Sequence, residues 1–147
     1  MTPGAAGPLA DLSELLHTLC RVPGPGIAPL LGDARPSERS LDCFRVEPTR
    51  FAAFAAIEVC PWSDAGSGIA LPELTDPAAW PLAGLEELLG PLSEGPRTQG
   101  RGAQLQVFLD DPSLPARAAV YVILERGDPD CTVHQIRIRV ETMAGWR

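Results

Sequence analysis

Two short stretches of this chain echo one another. Val22–Gly32 reads VPGPGIAPLLG and Trp80–Gly90 reads WPLAGLEELLG; they share a proline, a central glycine and the closing Leu-Leu-Gly, with Ile27 opposite Leu85. A unit repeated within 147 residues is too small to bury an adequate core by itself, so two such units must share one. The repetition predicts a single domain over residues 1–147, built from an internal repeat at 22–75 and 80–141, each copy a short helix leading into antiparallel strands.

The second copy is the more regular. Asp76-Pro77 has the form of a helix N-cap with proline at the first helical position. Leu82–Leu89 is the expected helix, stopped by Gly90-Pro91. Three strands are expected after a Gly- and Arg-containing linker at Ser93–Gly102. Ala103–Leu109 sets Leu105, Val107 and Leu109 on one face. Arg117–Glu125 (RAAVYVILE) is almost wholly apolar, as in a central strand covered on both sides. Cys131–Glu141 alternates, with Ile136, Ile138 and Val140 facing one way and Gln135, Arg137, Arg139 and Glu141 the other.

Ahead of the first copy, Leu12, Leu15, Leu16 and Leu19 recur at helical spacing, which predicts a helix over Leu9–Cys20 with His17 off its apolar stripe. The run VPGPG must end it. Leu41–Glu47 is read as a strand with Phe44 and Val46 on one face and Cys43 and Arg45 on the other, followed by a turn at Glu47–Arg50. Phe51–Cys60 is read as a strand, although Phe51, Phe54 and Ala55 also fit a helix. Ile69–Leu71 is read as a brief edge strand ended by Pro72. Overlaying Phe44 on Phe108 matches Leu41 with Leu105 and Pro48 with Pro112, and lays Ala52–Val59 over Ala116–Ile123. The fold class is therefore α+β: an antiparallel sheet packed with short helices in two related halves.

The LEELLGP run at Leu85–Pro91, followed by strands up to Glu141, resembles the tandem helix-plus-sheet units of the beta-lactamase-inhibitor-protein-like fold, and of small outer-membrane lipoproteins that share it. The first copy resembles them more faintly. The resemblance implies a non-catalytic binding or inhibitory module whose sheet presents a partner surface. It supplies no individual site residue.

Charge narrows the partner. The net charge is −7, and Phe51–Pro96 holds seven acids and no basic residue, while the flanking segments nearly balance. Nucleic acid and anionic membranes need basic neutralisation, so neither is an expected partner. The acids fit a solvated surface and also a basic protein partner, with Trp62, Asp64, Glu73, Asp76 and Trp80 as candidate contacts; tryptophan anchors interfaces, and Trp62 and Trp80 fit equally as hydrophobic plugs under a loop. Every cationic side chain is arginine, as a high-GC bacterial coding bias would give. The opening segment has no basic start and carries Asp11 and Glu14, and no window approaches a membrane span of about 20 apolar residues. The expectation is a cytoplasmic protein. In that compartment Cys20, Cys43, Cys60 and Cys131, which form no CxxC, are expected as reduced core thiols.

One alternative is a small zinc- or thiol-dependent enzyme or sensor. His17 and Cys20 are spaced HxxC and Cys131 and His134 CxxH, a set that could hold zinc tetrahedrally if the pairs met. Residues three apart on a strand point to opposite faces, which would place Cys131 in the preceding turn. The serines lack a nucleophile-elbow setting and the glycine runs match no phosphate loop. No cofactor is expected, and the reading favoured is a non-catalytic protein-binding module.

Overall fold

A computed structural model of the chain describes residues 7–22, 25–38, 43–60, 67–76, 80, 82–91, 93–94, 104–109, 111–124 and 133–142. Helix α1 spans Gly7–Arg21 and buries Leu12, Leu15, Leu16 and Leu19 together with Thr18 and Cys20. After it a single 3-10 turn, Pro25–Ile27, leads into α2, Ala28–Leu31. Pro29 in α2 has no amide hydrogen to continue a ladder, so it is tolerated only in a first turn. Helix α3 runs Leu82–Leu89, as expected, and the Gly90 amide closes it on the Glu86 carbonyl at 2.9 Å.

The described residues form eight strands: β1 Gly32–Pro36, β2 Phe44–Thr49, β3 Phe54–Cys60, β4 Ser67–Leu74, β5 Ser93–Glu94, β6 Gln104–Leu109, β7 Ala116–Leu124 and β8 Val133–Thr142. They form one antiparallel sheet in the order β1-β2-β3-β4-β8-β7-β6-β5. The protein is thus α+β. Two four-stranded meanders, each preceded by a short helix, meet through their last strands, β4 and β8.

The ladder makes the relation between the meanders specific. One row of register partners crosses the sheet through Phe44, Val59, Ala70, Ile138, Val120 and Val107. All six belong to the core or pack against it. In that row Phe44 on β2 and Val107 on β6 occupy matching places about the β4–β8 seam. A one-residue slip turns a strand's face over, so this register is what sets Phe44 and Val107 on the same face.

Three strand expectations are corrected. The turn expected at Glu47–Arg50 is strand through Thr49, with a cis Glu47–Pro48 bond, and the chain reverses at Ala52-Ala53 instead. Thr49 Oγ1 stitches that reversal, lying 2.8 Å from the Phe51 carbonyl and 2.7 Å from that of Phe54. The helix-like spacing of Phe51 and Phe54 arises because the turn and an irregularity at Phe54–Ala56 aim both rings into the core. The brief edge strand at Ile69–Leu71 is a full strand inside the sheet, paired with β3 and β8. Pro72 fits because β4 pairs with β8 only over Ser67–Ala70, so the missing donor lies where that ladder has ended.

The helices lie against one face. Helix α1 packs on β7, β8 and α3, and α2 packs on β1 and β2. Leu12, Leu15, Leu19, Ile27, Leu31, Ile57, Leu85, Ile136 and Ile138 are fully buried between these layers. Each contributes on the order of 1.5–3 kcal/mol by leaving water. Arg50 clamps the corner, pairing with Glu14 at 3.1 Å and donating to the Leu30 carbonyl at 2.8 Å and to Thr18 Oγ1 at 3.2 Å.

Candidate functional site

Strict alternation sends the other half of each strand's side chains to the face opposite the helices. On β2 these are Cys43, just ahead of the strand, Arg45 and Glu47; on β3 they are Glu58 and Cys60; on β4, Ile69 and Glu73. Further across, Arg137 and Arg139 of β8 and Tyr121 of β7 follow. Arg35, Glu47, Glu73, Ile69, Arg137 and Arg139 remain open to solvent, and Ile69 is 42% exposed.

At the β1–β4 end these side chains form a lattice of ion pairs. Arg45 donates through Nε to Glu47 at 3.0 Å, and reaches across β3 to take both oxygens of Glu73 at 2.6 and 3.3 Å. Arg35, the register partner of Arg45, binds the same Glu47 oxygen at 3.1 Å. Two like charges placed opposite one another would repel, and Glu47 between them makes the arrangement favourable. The hydrogen bond from Arg45, and then its charge, hold the Glu47 carboxyl below the usual range. The hydrogen bonds from Arg45 to Glu73 and Glu47 raise the guanidinium still further above neutrality.

Beneath this lattice lies Glu58, whose side chain is only 7% exposed. Ser37 donates a hydroxyl to Oε1. Arg45 Nη1 stands 3.7 Å from Oε2, beyond hydrogen-bond length, and Oε2 receives no hydrogen bond among the described residues. Glu58 opens onto a cavity of about 370 Å³ that Arg35, Pro36, Ser37, Glu38 and Arg45 also line. Cys43 and Cys60 sit directly beside it, joined as a disulfide across β2 and β3. This pairing corrects the expectation of reduced thiols for both. They oppose one another one position beyond the Phe44–Val59 pair, so the ladder itself brings the sulfurs together.

A second cavity, of about 260 Å³, lies on the helix side between Leu16, His17, Cys20, Leu109, Asp111, Leu114 and Ala116. His17 and Cys20 thus border one space. Burial, and secondarily the Asp111 charge, push the Cys20 thiol up to about 11, so at neutral pH it stays protonated and poorly nucleophilic. His17 is exposed and donates Nδ1–H to the Ser13 carbonyl at 2.8 Å. Asp111 accepts from both the amide and the hydroxyl of Ser113, which lowers its carboxyl. Cys131 lies outside the described residues, and His134 is exposed on β8. Among the described residues no cluster of three or more His, Cys, Asp or Glu is disposed to hold a metal.

Three of the five candidate contact residues are among the described residues. Trp62 and Asp64 lie outside the described residues. Glu73 is exposed but already held by Arg45, and Asp76 is exposed at the end of β4. Trp80 is 3% exposed and stacks on Phe54, with ring centroids 5.8 Å apart and planes 16° from parallel. It fills the core and presents nothing to a partner. Sequence reasoning missed the Arg35–Arg45–Glu58 lattice, although the alternation that sets Cys43 with Arg45 and Glu58 with Cys60 contained its raw material.

No helix among the described residues is long and apolar enough to cross a membrane. Comparison of the chain with protein-family models, with curated proteins and with solved structures finds no match.

Proposed function

We propose that this chain is a protein-binding module that acts by occlusion, without chemistry of its own, and that the helix-free face of the sheet is its contact surface. One observation carries the reading. All described helices pack on one side of an eight-stranded sheet, and the other side offers exposed Ile69 and half-buried Tyr121 amid paired charges.

The dimensions are adequate. Eight strands at about 4.8 Å span roughly 34 Å, and six residues of strand add about 20 Å. That footprint is of the order of the ~800 Å² which one partner gives to a standard interface. Arg and Tyr are the residue types that anchor such surfaces. The arrangement is of the kind that the beta-lactamase-inhibitor-protein-like resemblance implies, and the matched meanders support reading the chain as a duplicated unit.

The partner in this reading is a basic protein, because the chain carries −7 overall. Glu73 lies on this contact surface, whereas Trp80 is buried in the core. The compartment follows the Cys43–Cys60 bond: cytoplasmic residence predicts the dithiol at rest, and an oxidising compartment predicts the disulfide. The zinc or thiol alternative gains nothing from a Cys20 held protonated.

Affinity capture from the native host, repeated with Ile69→Asp and with Tyr121→Ala, tests the proposal. A partner held by the wild type and by Glu86→Lys on α3, but lost with both sheet variants, supports it. A partner indifferent to the sheet variants overturns it.

A further inference from the structure

Beside the disulfide, at one end of the helix-free face, the cavity over Glu58 combines three independent features. It has room, about 370 Å³. It contains a carboxylate more than nine-tenths buried, one oxygen of which accepts from Ser37 while the other receives no hydrogen bond among the described residues. The charge around it is also lopsided: the described residues that line or flank it are two arginines, Arg35 and Arg45, against four carboxylates, Glu38, Glu47, Glu58 and Glu73.

Both arginines are already engaged. Arg35 is bound to Glu47, and Arg45 holds Glu47 and both oxygens of Glu73. Their charge is spent on neighbours that face solvent, and among the described residues Glu58 is compensated by a 3.7 Å approach of Arg45. A buried carboxylate oxygen without a donor is costly, and a charged donor delivered to it gives a strong, short hydrogen bond. An anion entering the same space would meet Glu58 and Glu38 with no uncommitted cation among the described residues to offset them.

From these observations we infer that the Glu58 cavity seats one cationic side-chain head group, the ammonium of a lysine or the guanidinium of an arginine, projecting from the partner protein. The head group pairs with the Glu58 carboxylate, whose Oε2 lies just under the cavity wall and comes into reach as the side chain turns, while the Arg35–Glu47–Arg45–Glu73 lattice fixes the rim. The inference rests on the protein-binding reading for the source of the side chain. The chemistry of the cavity stands apart from it and is tested apart from it.

The test is a titration of the isolated protein, followed by the backbone amide signals of Ser37, Glu38 and Glu58. The probes are n-butylammonium and methylguanidinium chlorides, with tetramethylammonium, which has no N–H donor, and sodium acetate as comparisons. Saturable shifts are expected with at least one donor cation, at about millimolar dissociation constants for so small a ligand. Tetramethylammonium and acetate are expected to give none. Glu58→Gln, which keeps the shape and can still accept from Ser37, should weaken binding by about tenfold or more. Glu38→Arg, at an exposed position that the fold does not depend on, places a cation at the rim and should weaken it several-fold even if Glu58→Gln fails to fold.

Absence of saturable shifts with both donor cations overturns the inference. So does equal binding of tetramethylammonium, preferential binding of acetate, or unchanged binding by a folded Glu58→Gln variant. Cation binding by a protein that captures no partner would sink the protein-binding reading and leave the cavity's chemistry standing. A partner captured without any cation binding would do the reverse.

Discussion

Replacing Gly32 by alanine should be among the most damaging single-methyl additions this fold can receive. Gly32 closes the first Leu-Leu-Gly run and begins β1 with φ +154°. An alanine Cβ there would lie 2.3 Å from the Pro48 carbonyl oxygen, 2.8 Å from Thr49 Cα and 2.9 Å from Val46 Cγ1. Two of those three atoms are backbone, and Gly32 is itself the register partner of Thr49, so relief requires parting β1 from β2. A strained backbone torsion costs about 1–3 kcal/mol, and overpacking against an unyielding wall adds about 1–3 kcal/mol. The expected loss is therefore about 4 kcal/mol. Gly90 closes the second run with φ +95°, but a Cβ there meets nothing within 4 Å. Gly90→Ala should cost only the torsional part, about 1–2 kcal/mol. Urea denaturation of wild type and both variants, with the slope held common, reads the difference directly. For a chain of this size each kcal/mol lowers Tm by roughly 3 °C, so Gly32→Ala should melt about 10 °C or more below wild type. Equal losses at the two glycines, or a loss below about 1 kcal/mol at Gly32, would refute the close approach of β1 to β2.

Further consequences follow from other parts of the fold. Reducing the Cys43–Cys60 bond, or replacing both residues by serine, should destabilise by about 3 kcal/mol, since the bond closes a loop of 17 residues; mass analysis of the natively purified protein under thiol trapping gives its resting state. Trp80→Ala removes the ring stacked on Phe54 and should cost about 3–5 kcal/mol while leaving partner capture by the surviving folded fraction intact, the opposite of what an interface anchor would do. Cys20 should resist alkylation by iodoacetamide at pH 7–8 in the native protein. Because its folded pKa is raised from 9.0 to about 11, the protonated thiol is favoured by folding. That contribution is whole below about pH 9 and fades as pH climbs toward 11. Rapid native-state labelling at pH 8 would contradict the burial.

What could be read in the sequence depended on whether the deciding interactions were local. The Leu82–Leu89 helix was legible to the residue because Gly90-Pro91 supplies its stop in the next two positions. The runs that became β7 and β8 were legible because burial on two faces, or on one, writes itself into composition and alternation. Pro72 misled because proline's cost depends on which neighbour needs its hydrogen, and β8 ends its pairing with β4 at Ala70. Pro48 misled in the same way, lying within β2 where a turn was expected.

The candidate site was hidden for a related reason. Arg45, Glu58 and Glu73 are ordinary charges until β2, β3 and β4 are set side by side, and Cys43 meets Cys60 only through that same register. From sequence Trp80 fits either a partner contact or a hydrophobic plug, and what decides for the plug is Phe54, distant in sequence. The Leu-Leu-Gly echo was a genuine guide to backbone geometry, since both closing glycines hold positive φ.

The account stands or falls on the helix-free face as the contact surface. Its most direct measurement is quantitative capture of the partner from the native host by wild type, by Ile69→Asp with Tyr121→Ala combined, and by Glu86→Lys with Glu87→Lys combined on the exposed side of α3. The account predicts retention by wild type and by the α3 variant, and at least a tenfold loss with the sheet variant at unchanged stability. Full retention by the sheet variant, or loss confined to the α3 variant, would contradict it.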